Sequence, residues 1–222
     1  MLELLADIKD DRIYRLLCLG AHSDDIEIGC GGTLLKLQEL YGNLSFRWVV
    51  FSSDDVRASE ARDSANAFLK NVGDAIIEVN RFRDGYFPFM GSEIKDYFER
   101  LKRTVDPDIV FTHFRNDLHQ DHRLISELTW NTFRDHLILE YEVFKYDGDL
   151  GSPNFFVELN EEQCQRKIDC ILNCFQTQRK HRWFSRENFE SIMRIRGVES
   201  NARDRYAEAF YCRKLVSFGS SV

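Results

Sequence analysis

The sequence predicts an α/β fold, a doubly wound, mostly parallel sheet flanked by helices. Three observations carry that expectation. Short apolar runs such as Ile13 to Leu19 and Phe46 to Phe51 alternate with stretches whose apolar residues recur at helical spacing, such as Leu34, Leu35, Leu37 and Leu40. Polar loops rich in Asp, His and Gly follow the apolar runs, as they do at the carboxyl ends of parallel strands, where open α/β sheets bind their ligands. The length of 222 residues suits one domain spanning 1–222.

Taken in order, residues 1 to 11 are a polar lead-in with room for one short helix, and Ile13 to Leu19 is a first, buried strand. Thr33 to Tyr41 is the first helix, which Gly42-Asn43 stops. Phe46 to Phe51 is the second strand, and Ser52 to Asp55 caps a helix from Val56 to Lys70. A third strand, Asp74 to Val79, leads into the loop Arg81 to Pro88. A helix over Ile94 to Thr104, a strand over Asp108 to Thr112 and a helix from His122 to Asp135 complete the regular part. The second half is less regular. Glu140 to Tyr146 and Asn154 to Leu159 read as strands flanking a Gly-Asp-Leu-Gly-Ser-Pro turn, and Glu161 to Thr177 and Arg186 to Arg196 as helices. The stretch Tyr206 to Phe218 starts helical and finishes as a strand over Phe210 to Phe218.

Composition narrows the class. A hydrophobic fraction of 43% with 18 Phe supports a sizeable core. A formal net charge of -7 with interspersed signs argues against nucleic acid as a partner. No apolar stretch reaches the ~18 residues of a membrane span, and the N-terminus lacks a signal-peptide pattern, so a cytoplasmic protein without stable membrane insertion is expected. The six cysteines form no Cys-x-x-Cys pair and read as reduced core thiols. Homo-oligomer formation is left open.

Chemistry concentrates in two loops that follow strands. The first holds His22, Asp24 and Asp25, and the second Asp117, His119, Asp121 and His122. A hydrolytic zinc site needs three N or O ligands and one open position. His22 and Asp25 are three apart and can grip one ion, while the adjacent Asp24 cannot aim at the same point. One of the two carboxylates therefore ligates and the other faces the water. His119 and His122 divide in the same way, one on the ion and one on the substrate, with Asp121 or another carboxylate orienting an imidazole. The chemistry this supports is metal-assisted hydrolysis with a carboxylate base. Against it stands a plainer reading, in which the Asp-Asp pair only caps a helix. His113 is either a pocket residue or a satisfied group at the sheet edge. No P-loop or dinucleotide motif accompanies Gly29, Gly31 and Gly32.

Ala21-His22-Ser23-Asp24-Asp25, with Glu27 and Gly31-Gly32-Thr33, resembles the Ala-His-x-Asp-Asp signature of the PIG-L/LmbE-like zinc-dependent N-deacetylases. Thr112-His113, Asn116-Asp117 and His119-Gln120-Asp121-His122 resemble that family's second signature. Shorter echoes are Arg57 with Glu60-Ala61, Asp84-Gly85, Gln176-Thr177-Gln178 and Tyr206 to Phe210. The resemblance implies a Rossmann-like fold and removal of the acetyl group from an N-acetylated amino sugar. It implies one zinc ion per chain held by His22, Asp25 and His122, with Asp24 as general base. It further implies His119 as the second catalytic group, Asp121 as its support, and Arg57 and Asp84 as substrate-binding residues. Ser23 stands where the family most often has Pro, and Ile26 where it often has Glu.

The expected substrate is a soluble, small-molecule N-acetyl amino sugar, with a nucleotide-linked one among the options. Rival readings are an amidase or deacetylase of a thiol-sugar conjugate and a two-ion phosphoesterase. Phe82, Tyr86, Phe87, Phe89 and Met90 surround Asp84 and form either an aromatic wall for a sugar or packing for a loop. Arg179 to Arg182 is either a phosphate-binding patch or a solvated helix end.

Overall fold

The computed structural model describes residues 13–215. The expected lead-in at 1–11 and the last residues of the 206–218 stretch lie outside them. Among the described residues the strands are β1 (Tyr14–Gly20), β2 (Leu44–Val50), β3 (Asp74–Val79), β4 (Ile109–His113), β5 (Leu137–Tyr141), β6 (Phe155–Leu159) and β7 (Tyr206–Cys212). The helices are α1 (Asp25–Leu40), α2 (Asp55–Phe68), α3 (Gly91–Thr104), α4 (Gln120–Thr132), α5 (Glu161–Cys174) and α6 (Arg186–Ser200). The strands form one sheet in the order β3-β2-β1-β4-β5-β7-β6. The pairs from β3 through to β5 are parallel, and β7 runs antiparallel to both its neighbours. The α/β fold with a mostly parallel sheet is as expected.

Both faces of the sheet are covered, which is why β1 reads as an unbroken apolar run. Leu16 and Cys18 point into the larger core with Trp48, Phe68, Phe111 and Tyr141, beneath helices α1, α2, α5 and α6. Leu17 and Leu19 alternate to the other face and meet Phe51, Phe98 and Ile125, beneath α3 and α4. After β1 the chain turns one way to β2 and β3, then returns to place β4 on the other side of β1. That reversal opens a crevice at the carboxyl ends of β1 and β4, the position where such sheets hold ligands.

Three expectations are corrected. Helix α1 begins at Asp25, eight residues before the expected Thr33, so the Gly-rich stretch is helical. Its glycines serve close packing: a Cβ at Gly29 would land on the Tyr141 ring, and one at Gly31 would come 2.8 Å from Phe68. The strand expected at Glu140 to Tyr146 lies earlier, as β5 over Leu137–Tyr141, and β7 separates it from β6 in the sheet. Tyr206 to Cys212 is strand throughout, not a helix that becomes one.

Candidate active site

The crevice collects the candidate metal, catalytic and substrate residues of the sequence. His22 and Asp24 follow β1, and Asp25 opens α1. His113 ends β4, His119 caps α4, and Asp121 and His122 lie in its first turn. Arg57 comes from the first turn of α2, and Asp84 from the loop after β3.

Three donors converge. His22 Nδ1 is 3.1 Å from His122 Nε2, an Asp25 oxygen is 3.4 Å from His22 Nδ1, and the other is 3.5 Å from His122 Nε2. Two donors each about 2.1 Å from a tetrahedral ion stand about 3.4 Å apart. Two imidazole nitrogens and the two oxygens of one carboxylate thus lie close together, a donor set that could hold a zinc-sized ion.

The outer nitrogens of both histidines face carboxylates. His122 Nδ1 is 2.8 Å from Asp117 Oδ2, and His22 Nε2 is 3.1 Å from Asp84 and 3.4 Å from Asp121. A carboxylate behind each imidazole fixes its tautomer and leaves the other nitrogen's lone pair facing inward, the arrangement that supports metal-ligating histidines. Burial, and then the neighbouring His113, push the His122 imidazole down to about 3, so it is neutral and its lone pair is available. Burial alone would raise the Asp25 carboxyl, but His122, His113 and His22 outweigh it and hold it well below the carboxylate range.

Asp24 differs from its neighbour. It occupies the cap position of α1, yet its side chain makes no capping hydrogen bond, which removes the plainer reading of the pair. Burial and the Asp25 charge raise its carboxyl to about 6, against the opposing pull of Arg57 and His22. A buried carboxylate poised there suits a general base. Arg57 links two of the acids, with Nη2 3.7 Å from Asp24 and Nη1 3.3 Å from Asp84.

His119 lies beside the donors, its ring centroid 4.9 Å from that of His22 and 4.6 Å from that of His122. Its nitrogens, with those of His22 and His122, form an alternative donor triad, as do Asp25, His113 and His122. The second is disfavoured because His113 Nε2 already accepts the Ala21 N–H at 2.9 Å. In the first, His119 Nδ1 accepts the Asp121 N–H at 3.3 Å, leaving Nε2 for a substrate or an ion.

The Asp121 carboxylate faces His22 rather than His119. It also accepts the N–H groups of Gly85 at 2.7 Å and Phe87 at 3.1 Å. The residue supports His119 through its backbone N–H. Its side chain is committed to pinning the Asp84 loop over the site.

Asp117, which the sequence placed in the second loop without naming it as the partner of His122, backs that ring. It also takes the His119 N–H at 2.7 Å and an ion pair with Lys145 at 2.9 Å. Its place five residues before His122 was the available signal. The ammonium of Lys145 fills the nearby cluster of Asp117, Asp147 and Asp149. The loop aromatics divide: Phe82 and Phe87 pack on the core with Phe51, while Tyr86 and Phe89 are exposed. All six cysteines are free thiols.

The sequence profile of the PIG-L family, GlcNAc-PI de-N-acetylase, matches residues 17–133, the segment that carries both metal-type loops. The chain belongs to the PIG-L family. This PIG-L protein is similar to the N,N'-diacetylchitobiose deacetylase of Pyrococcus horikoshii over 94% of this chain and 86% of that one, at 22% identity and a TM-score of 0.68. Teicoplanin deacetylase Orf2, solved in a zinc-inhibited form, shares 14% identity over 89% of this chain and 97% of its own, with a TM-score of 0.71. The fold also carries other chemistry. GalB, the 4-carboxy-2-hydroxymuconate hydratase of Pseudomonas putida, matches at 17% identity over 95% of this chain and 100% of its own, with a TM-score of 0.71. These neighbours share the fold of this chain, and the family is shown by the profile match. Among the described residues, no helix is long and apolar enough to cross a membrane.

Proposed function

We propose that this PIG-L protein is a metal-dependent hydrolase that removes the N-acetyl group from an N-acetylated amino sugar. The observation that carries the reading is the convergence of His22, Asp25 and His122, with the buried Asp24 carboxylate, which does not cap its helix, beside them. One zinc ion per chain fits these donors, and when bound it would supply Lewis acidity and a more acidic water. Asp24 takes a proton from the attacking water, and its raised carboxyl then holds that proton for the departing amine. His119 Nε2, left free by the contact of Nδ1 with the Asp121 N–H, donates to the developing oxyanion or to the leaving nitrogen. Arg57 holds Asp24 and Asp84 in place, and Asp84, the exposed acid of the group, is available to sugar hydroxyls. Asp121 keeps the Asp84 loop closed over the ring.

The test is acetate release from a panel of N-acetylamino sugars, free, nucleotide-linked and thiol-conjugated, using metal-quantified protein with chelated and zinc-restored controls. Zinc-restored acetate from one member supports the reading. Bound metal with no amide hydrolysis, but with phosphate ester cleavage, would replace it with the phosphoesterase alternative.

A further inference from the structure

The segment that joins β5 to β6, with its Gly-Asp-Leu-Gly-Ser-Pro turn, has no part in the chemistry proposed above. It is nonetheless fastened at its base. Glu142 pairs with Arg196 of α6 at 2.7 Å, with both side chains buried, and accepts the Gly151 N–H at 2.9 Å and the Tyr211 hydroxyl at 2.8 Å. Arg196 also donates to the Gly151 carbonyl at 3.1 Å. The two ends of the 142–151 segment are thereby closed on each other. Between them Gly148, at a φ of 63°, turns the chain.

From this base Lys145 reaches the second loop of the site. Only 12% of its side chain is exposed, and its ammonium lies 2.9 Å from Asp117, 2.8 Å from Asp149 and 3.5 Å from Asp147. Three carboxylates this close together form a donor set for a cation, and the ammonium is a cation that the chain itself supplies. Asp149 adds a second tie by accepting the Leu118 N–H at 2.8 Å. The segment thus grips residues 117 and 118, immediately before His119.

Asp117 is the member shared with the site. Its Oδ1 takes Lys145 and the His119 N–H, and its Oδ2 faces His122 Nδ1 at 2.8 Å. With Oδ1 held in this way, the carboxylate cannot rotate off the ring without breaking an ion pair. The Asp117 side chain is 3% exposed, and a charge buried that deeply is costly unless another charge compensates it. Lys145 supplies that charge from the side opposite His122. One ammonium therefore serves both the orientation of the carboxylate and its ionisation.

We propose that Lys145 is a positioning residue for His122, acting through Asp117: it holds the carboxylate in the orientation that fixes the ring with Nε2 toward His22 and Asp25. The consequence for zinc rests on the metal-hydrolase reading of the site; the consequence for the ring does not.

The test reads the His122 ring directly, by long-range proton–nitrogen NMR of the metal-free full chain carrying isotope-labelled histidine, with His122→Gln identifying its cross-peaks. The wild-type ring is expected as one tautomer with the proton on Nδ1, and Lys145→Met as a mixture of tautomers. Chelator competition then gives zinc affinity, expected to fall about ten-fold in Lys145→Met, the low end for loss of a group that supports a ligand. In an Asp117→Asn background the same substitution is expected to lower affinity no further. Lys180→Met, at an exposed position, changes neither reading. Lys145→Gln keeps a polar group in place and is read the same way should the Met variant not fold. An unchanged His122 tautomer, or additive losses of affinity in the double variant, overturns the proposal. A tautomer that responds to Lys145 in a protein that binds no zinc keeps the positioning role and sinks the metal-hydrolase reading.

Discussion

His122 Nδ1 lies 2.8 Å from the Asp117 carboxylate, and this contact leaves Nε2 as the nitrogen that faces His22 and Asp25. Replacing Asp117 by Ala frees the ring to rotate and removes the charge that strengthens it as a ligand. Zinc affinity is expected to fall about 10–100-fold. Competition with a chromophoric chelator measures it; unchanged affinity would exclude Asp117 from the support of the site.

Two variants distinguish the candidate donor triads. Asp25→Ala is expected to abolish stoichiometric zinc, whereas His119→Ala retains one ion per chain and loses turnover. Metal analysis after dialysis decides between them. Loss of the ion in the His119 variant would assign the three-histidine set instead.

Asp24→Asn keeps the shape of the side chain and removes its basicity. Turnover is expected to drop by about 10²–10⁴, with zinc content intact. A variant retaining full acetate release would remove Asp24 from proton transfer.

The thiols are protected by burial. Cys164 and Cys174 are each pushed up to about 11, and burial raises Cys18, Cys30, Cys170 and Cys212 as well. At pH 8 a thiol near 11 is about one part in a thousand thiolate, against roughly a quarter for an unperturbed cysteine. Iodoacetamide at pH 8 is therefore expected to label the folded protein at least ~10-fold more slowly than the urea-unfolded chain. Mass spectrometry over time reads both rates.

Gly29→Ala places a methyl on the buried Tyr141 ring, whose hydroxyl is fixed by a 2.6 Å hydrogen bond to the Leu19 carbonyl. The ring has little freedom to yield, so destabilisation of about 1–3 kcal/mol is expected by urea unfolding. Gly42→Ala, where nothing lies within 4 Å of the added carbon, is the control.

The parallel half of the sheet was legible because each strand there is a local event, an apolar run followed by a helical period. The start of α1 was not, because Gly29, Gly31 and Gly32 carry the local signal of a loop and only their neighbours Tyr141, Phe68 and Leu159 show why a helix needs them. The insertion of β7 between β5 and β6 was hidden for a related reason: its register pairs Tyr141 with Phe210, and Phe155 with the same residue, across long separations. At the site, residue types and spacing were enough to bring His22, Asp24, Asp25, His119 and His122 to attention. The direction of the Asp121 carboxylate was not readable, since it depends on where the loop of Gly85 and Phe87 comes to rest. Nor was the service of Asp117 to His122, which requires the turn between them to be folded.

One brace lies far from the crevice. Glu208 on β7 accepts the N–H groups of Gly32 at 2.8 Å and Thr33 at 2.6 Å, while Lys167 spans from Glu208 to the Ile28 carbonyl at 2.6 and 2.7 Å. The carboxylate is separated from Gly32 by 176 residues. During synthesis, all the candidate ligands from His22 to His122 leave the ribosome well before Glu208 does. The helix that positions Asp24 and Asp25 is thus unbraced through most of translation, and completion of the candidate site becomes a late event in the life of the nascent chain.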